Sequence, residues 1–217
     1  MITQRHVFAD ADQLARNLAF AVAAGLREAL AANEHATLAV SGGTTPQKFF
    51  EALSRQKLDW PHVTVTLVDE RQVDETSARS NAKLVKATLV QNEAAVARFV
   101  PLYQNPAASE LPNFDVVVLG MGNDGHTASF FPAGDTLAMA LSPAAPPLLA
   151  ISAPGSGEPR LTFSLSKILA ANEIFLHIQG ADKSTTLATA MIGSDEMEMP
   201  IRAVLNSGRV IEIYWCP

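Results

Sequence analysis

The chain has 217 residues, 48% of them hydrophobic and 18% charged, with 16 Lys and Arg against 22 Asp and Glu for a formal net charge of −6. This composition supplies a sizeable core and argues against disorder, and the acidic balance argues against nucleic acid as a partner. The single cysteine, Cys216, excludes an intrachain disulfide and a cysteine-based metal site.

One domain is expected over residues 1–217. The first residues, MITQRHVFADADQ, hold no apolar stretch of the signal-peptide kind, and no apolar run reaches ~18 residues. A cytoplasmic chain without a membrane partner is therefore expected, as monomer or homodimer.

In chain order, residues 9–32 are rich in Ala, Leu and Arg with apolar positions near helical spacing, which predicts a long amphipathic helix. Residues 37–40 (TLAV) are the first of six short apolar runs. The others are 63–68 (VTVTLV), 114–119 (FDVVVL), 147–152 (PLLAIS), 173–180 (EIFLHIQG) and 209–215 (RVIEIYW). They are continuous rather than strictly alternating, as in parallel strands covered on both faces. Helix-like stretches at 46–54, 80–89, 165–171 and 181–192 fall between them. The alternation predicts an α/β fold with a mainly parallel sheet of about six strands. SPAAPP (142–147) reads as a rigid surface connection and DEMEMP (195–200) as a solvated acidic turn.

Ligands of such sheets sit beyond the carboxyl ends of the strands, so the segments after each strand are the places to search. After TLAV comes SGGTTP, 41–46. Its glycines let a ligand approach the backbone, its hydroxyls donate, and a helix starting near Pro46 would leave N–H groups free for an anion. The alternative is an ordinary tight turn with a Thr cap, and no Gly-Lys-Ser/Thr follows to make a Walker A loop. After VTVTLV come three charges, Asp69, Glu70 and Arg71, which are costly at a buried strand end unless paired or used. After FDVVVL comes GMGNDGHTASFFP, 120–132. Its G-x-G-x-x-G spacing is a weak dinucleotide signal in mid-chain, with no clear acidic ribose partner downstream. His126 is the more telling residue, because imidazole exchanges a proton near neutral pH and Asp124 is close enough in sequence to orient it. EPRLTFS (158–164) and GADK (180–183) offer the cations Arg160 and Lys183, both suited to phosphate. His6, His35 and His62 lie near helix or strand starts, and His177, inside a strand, reads as a satisfied core or surface histidine.

These segments resemble the 6-phosphogluconolactonases of the pentose phosphate pathway. The matching stretches are SGGTTP, VDERQVDETSARSN (68–81), GMGNDGHTASFFP and the pair PRLTFS and GADK, in the family's order from Ser41 to Lys183. Thr44 stands where the family often has serine, and either hydroxyl donates. The resemblance implies a Rossmann-like three-layer α/β sandwich, similar to that of glucosamine-6-phosphate deaminase. It implies hydrolysis of 6-phospho-D-glucono-1,5-lactone to 6-phospho-D-gluconate, with no metal and no organic cofactor. His126 would be the base that activates water, and Asp124 and Asp69 would orient it or hold sugar hydroxyls. Ser41, Gly42, Gly43, Thr44, Arg160 and Lys183 would hold the phosphate. Arg71 would assist there or contact the sugar acid, Asn81 would be structural or hydroxyl-binding, and the backbone of 120–125 would supply oxyanion donors.

Two other functions fit the same sequence class. A glucosamine-6-phosphate isomerase or deaminase shares the Asp-Gly-His core but continues Asn-Glu-Pro, and Phe131 stands at the position of that glutamate. A non-catalytic sugar-phosphate-binding regulator carries an N-terminal helix-turn-helix, whereas a first strand near Thr37 leaves room for one helix.

Overall fold

The computed structural model describes residues 2–217. In chain order the elements are β1 (Ile2–Val7), α1 (Ala11–Asn33), β2 (Ala36–Val40), α2 (Gln47–Leu53), β3 (Val63–Leu67), β4 (Asp69–Arg71), α3 (Asn81–Thr88), β5 (Arg98–Val100), β6 (Val116–Leu119), α4 (Leu137–Leu141), β7 (Leu148–Ile151), β8 (Arg160–Phe163), α5 (Leu165–Leu169), β9 (Glu173–Gln179), α6 (Ala181–Ile192), α7 (Ile201–Leu205) and β10 (Val210–Cys216).

Seven parallel strands form the central sheet in the order β1-β10-β9-β6-β2-β3-β5. Every residue of β2 and β6 is buried, as strands with both faces covered must be. Helix α1 packs against α2 and against β2, β6 and β10, while α6 packs on β9 and on α7. Helix α1 starts where the Asp10 carboxylate accepts the Gln13 N–H at 2.7 Å, and it ends where Glu34 turns left-handed. Its four-residue repeat Leu14, Leu18, Val22 and Leu26 is fully buried, each side chain contributing about 1.5–3 kcal/mol of apolar burial. Among the described residues no helix is long and apolar enough to cross a membrane.

The α/β class and the parallel sheet match the sequence expectation, and the strand inventory differs in four places. The sheet has seven strands rather than six, because β1 and β5 join it at its two edges while one of the six expected runs lies outside it. The first strand is therefore Ile2–Val7 rather than the run at 37–40. The run at 147–152 lies instead in a second, antiparallel sheet, ordered β4-β8-β7. Asp69–Arg71 and Arg160–Phe163 are strands of that small sheet, not loops after strands. The two sheets meet at Val68, whose N–H donates to the Val40 carbonyl and whose carbonyl accepts from the Phe163 N–H. The chain thus turns from one sheet into the other within a single apolar run.

His177, in the middle of β9, is 3% exposed. Its Nε2 meets the Gln179 amide at 3.0 Å, and its ring sits edge-on to Phe49 at 5.9 Å. Burial pushes its pKa down from the ordinary 6.5 to about 4. A folded value below the unfolded one means that the unfolded chain binds the extra proton. Stability from this group is complete above pH 6.5 and is lost as pH falls toward 4, by up to about 3 kcal/mol. We expect His177→Gln to flatten the pH dependence of urea stability between pH 6.5 and 4.5. Parallel curves for variant and wild type would show that His177 carries none of it.

Candidate active site

The order of the sheet creates the site. Strand β2 passes its chain to β3 on one side, and β6 passes its chain to β9 on the other, so the loops after β2 and β6 diverge from neighbouring strand ends. Such a reversal opens a crevice at the carboxyl edge of a parallel sheet. Here the two loops are laced at the floor: the Ser41 N–H donates to the Val118 carbonyl, and the Gly120 N–H donates to Ser41 Oγ at 3.0 Å. Above them lies a cavity of about 300 Å³. It is lined by Ser41, Gly42, Gly43, Thr44, Asp69, Arg71, His126, Arg160 and Lys183. Asp124 stands behind His126.

The turn after β6 builds the His126 environment. Asp124 Oδ1 accepts the His126 backbone N–H at 3.1 Å and lies 2.6 Å from the ring Nδ1. An ionised carboxylate only accepts, so Nδ1 carries a proton, and in the neutral ring Nε2 is then the acceptor. Burial pushes the Asp124 carboxyl up, but its hydrogen bond and charge interaction with His126 outweigh this and leave it below the usual carboxylate range. The imidazole stacks on Phe131 with centroids 4.2 Å apart. Gly122 is obligatory beside it, since a Cβ there would lie 2.1 Å from His126 Nδ1. Of the expected oxyanion donors in 120–125, the N–H groups of three glycines are already engaged. Gly120 donates to Ser41 Oγ, Gly122 to the His126 carbonyl and Gly125 to the Gly122 carbonyl.

The charged triplet divides by strand alternation, which sends Asp69 and Arg71 to one face of β4 and Glu70 to the other. Arg160 stands directly opposite Arg71 in the antiparallel register, so it joins the first face. Asp69 is 5% exposed and is held by Ser129 Oγ, which donates to its Oδ2 at 2.6 Å. Arg160 Nη1 lies 3.8 Å from the same oxygen, and the guanidinium carbon sits 5.3 Å from the Phe131 ring centroid. Desolvation works against the Arg160 charge, and Asp69 only partly restores it. Lys183 is likewise pushed down by burial and partly restored by Asp124 and Asp182. The Nε atoms of Arg71 and Arg160 are buried without a partner. The cavity therefore gathers cationic donors whose charge an anion would complete. Among the described residues no three His, Cys, Asp or Glu side chains converge as a metal site.

Three neighbours of this constellation make contacts that the sequence does not announce. Ser129 lies 60 positions from its partner Asp69, and Phe131 follows a turn at Ala128, which adopts φ 49° without being glycine. Neither contact leaves a local signal. His177 lines the cavity floor from within β9, where alternation along the strand was its only clue.

The molecule is an α/β protein whose parallel sheet opens, at its strand-order reversal, into a cation-lined crevice beside an oriented imidazole. The family model of glucosamine-6-phosphate isomerases/6-phosphogluconolactonase matches residues 9–215, and the chain belongs to that family. It is 48% identical to a 6-phosphogluconolactonase of Rhizobium meliloti (strain 1021), over 100% of both chains. It is 51% identical to a 6-phosphogluconolactonase of Mesorhizobium japonicum, over 98% of this chain and 94% of that one. Among solved structures, a 6-phosphogluconolactonase from Shewanella baltica OS155 superposes with a TM-score of 0.95 at 39% identity, over 99% of this chain and 98% of that one.

Glu70 faces away from the cavity and holds the start of α3. It is 1% exposed, and its two oxygens accept from the N–H groups of Arg71, Asn81 and Ala82 at 2.7–2.8 Å and from Ser80 Oγ at 3.1 Å. Glu70→Ala is expected to cost about 2–4 kcal/mol, because several buried donors lose their acceptor together. Urea denaturation measures this, with Glu70→Gln expected to lose less. A loss under about 0.5 kcal/mol would contradict the capping role.

Proposed function

We propose that this chain hydrolyses 6-phospho-D-glucono-1,5-lactone to 6-phospho-D-gluconate, with the reaction carried by a single domain. The observation that carries the reading is the shared cavity. His126, its Nδ1 engaged by Asp124, lines the same space as the Ser41–Thr44 loop and the cations Arg71, Arg160 and Lys183. Several relatives bear the corresponding name.

The chemistry asks little of the protein. A lactone carbonyl is already electrophilic, so a base, an anion-stabilising environment and a proton for the leaving oxygen are enough. In the proposed sequence, His126 Nε2 takes a proton from water as the oxygen adds to C1. The tetrahedral oxyanion forms in a cavity richer in cations than in carboxylates. Collapse breaks the bond from C1 to the ring oxygen, and the imidazolium returns the proton to that oxygen. Asp124 holds the ring and balances its charge in the protonated step. Asp69, fixed by Ser129, offers a rigid acceptor for sugar hydroxyls. The phosphate lies against the donors of Ser41, Gly42, Gly43 and Thr44, with Arg160 and Lys183 supplying charge and Arg71 assisting. No electron transfer occurs, and no step calls on a cofactor.

The isomerase reading is weaker because of what stacks on the histidine. Ring opening and proton transfer between carbons would use a further ionisable group beside the imidazole. Phe131 occupies that place at 4.2 Å and has no proton to exchange.

Acid release from fresh 6-phosphogluconolactone, corrected for spontaneous hydrolysis, tests the activity; a rate no faster than the blank would end the reading. His126→Ala is expected to lower kcat by roughly 10²–10⁴ with the fold retained. A folded variant with near-normal turnover would remove His126 as the base. Arg160→Ala and Lys183→Ala are each expected to weaken binding of the phosphorylated lactone by about 1.5–3 kcal/mol. Unphosphorylated glucono-1,5-lactone should be affected far less, and equal losses on both substrates would place these cations elsewhere.

A further inference from the structure

We propose that Asn81 is the positioning residue of the anion-binding end of the cavity, setting the Arg71 guanidinium and bracing the loop at Gly42. The inference rests on reading that end as the phosphate site. Asn81 opens α3, is 2% exposed and lines the cavity. Its amide orientation follows from its neighbours. Oδ1 accepts from Arg71 Nη1 at 2.7 Å, and a guanidinium can only donate. Nδ2 donates to the Asp69 carbonyl at 3.0 Å, and a carbonyl can only accept. One planar side chain therefore bonds to β4 at both ends of the charged triplet. The middle residue, Glu70, fixes the backbone of Asn81 by accepting its N–H at 2.8 Å.

The third contact is steric. A Cβ on Gly42 would fall 2.0 Å from Asn81 Oδ1 and 2.2 Å from Cγ. The backbone after β2 thus lies directly on the carboxamide, and glycine is required there. Asn81 is in this way the common support of the loop with free hydroxyls and of the arginine facing it.

The consequence for Arg71 is directional. Its Nη1 is spent on Asn81 Oδ1 and on the Arg79 carbonyl at 2.6 Å. Its Nε is buried without a partner, and the residue lines the cavity. With Nη1 engaged by two acceptors the plane of the guanidinium is set, so the charge it brings to the cavity has a fixed position, as recognition of a phosphate needs. Charge explains why the holder is Asn. An aspartate would still accept from Arg71, but it would neutralise the guanidinium, repel a phosphate and oppose the Asp69 carbonyl.

The test is steady-state kinetics of Asn81→Asp and Asn81→Ala on 6-phosphogluconolactone and on unphosphorylated glucono-1,5-lactone, with thermal melts alongside. We expect KM for the phosphorylated lactone to rise about tenfold or more, the scale of one charge-assisted hydrogen bond. The kcat for that substrate should stay within about threefold and KM for the unphosphorylated lactone within about twofold, since the His126 end is untouched. Asn81→Asp keeps the shape against Gly42, so it is the deciding variant if the alanine variant does not fold. Equal changes on both substrates, a fall in kcat alone, or unchanged KM would overturn the proposal. Failure of both variants to fold would also overturn it, by assigning Asn81 to the scaffold. Lys183→Ala separates the two levels. If it discriminates between the substrates and Asn81→Asp does not, only the role of Asn81 fails. If neither discriminates, the phosphate reading fails as well.

Discussion

Two adjacent strands, β2 and β6, send their chains in opposite directions across the sheet, and every feature of the cavity depends on that divergence. Had β6 continued to the same side as β2, the two loops would cover the strand ends instead of parting above them. The divergence alone would leave a wide notch. The Ser41 hydroxyl sets its width by accepting the Gly120 N–H, while Thr127 Oγ1 donates to the Gly120 carbonyl at 2.7 Å. Both backbone polar groups of one residue are thereby satisfied at the floor of the crevice, where an unpaired one would be costly. The loop after β2 and the turn bearing His126 are consequently tied to one backbone position.

The small antiparallel sheet supplies what the parallel sheet cannot. A parallel strand ends at the crevice and offers side chains only from its last residues. A strand running alongside the opening presents every second residue to it. Asp69, Arg71 and Arg160 all enter the cavity by this rule, from two strands in register. The same alternation turns Glu70 inward as the cap of α3. One three-residue strand thus lines the cavity with one face and holds the start of α3 with the other. The electrostatics are unbalanced in a consistent way. Arg160 is buried with its nearest carboxylate oxygen at 3.8 Å, too far for a direct hydrogen bond, while Ser129 donates to that same oxygen at 2.6 Å. Asp69 restrains the cation without neutralising it.

The main architecture was legible in the sequence for a physical reason. Strands buried on both faces, such as 116–119, must be continuously apolar, and the residues that follow them must be polar if they meet a ligand. The misplaced elements break one of those conditions. ITQRHV is an edge strand with much of its length exposed, so it carries Gln, Arg and His and reads as a polar terminus. RFV is a three-residue edge strand. LLAI looks like a central strand but is half-buried, because the small sheet has an open face. Of the cavity, the residues in contiguous loops were readable: Ser41 to Thr44, Asp124, His126 and Lys183 each follow an apolar run. Asp69, Arg71 and Arg160 were also readable as charges at strand ends, but the contacts made by pairing across the chain were not. Nothing near Ser129 announces Asp69, and nothing near Asn81 announces Gly42.

The imidazole at the centre shows how few freedoms remain once these contacts are in place. A histidine ring can rotate about two bonds, and each rotation meets a separate restraint. The 2.6 Å contact from Asp124 fixes which edge of the ring faces the protein. Stacking on Phe131 fixes the plane of the ring. The missing side chain of Gly122 provides the only room in which that plane and that edge coexist. Removing any one restraint would leave the ring present but free to turn, and a general base must hold its lone pair on the attacking water to be effective. Phe131 orients the ring without titrating, and its ring also lies beneath the Arg160 guanidinium. A single apolar plate therefore aligns the imidazole and the neighbouring cation while adding no further proton to the site. In the proposed hydrolysis one proton is taken from water and one is returned to a leaving oxygen, and a plate that does not titrate suits that sequence.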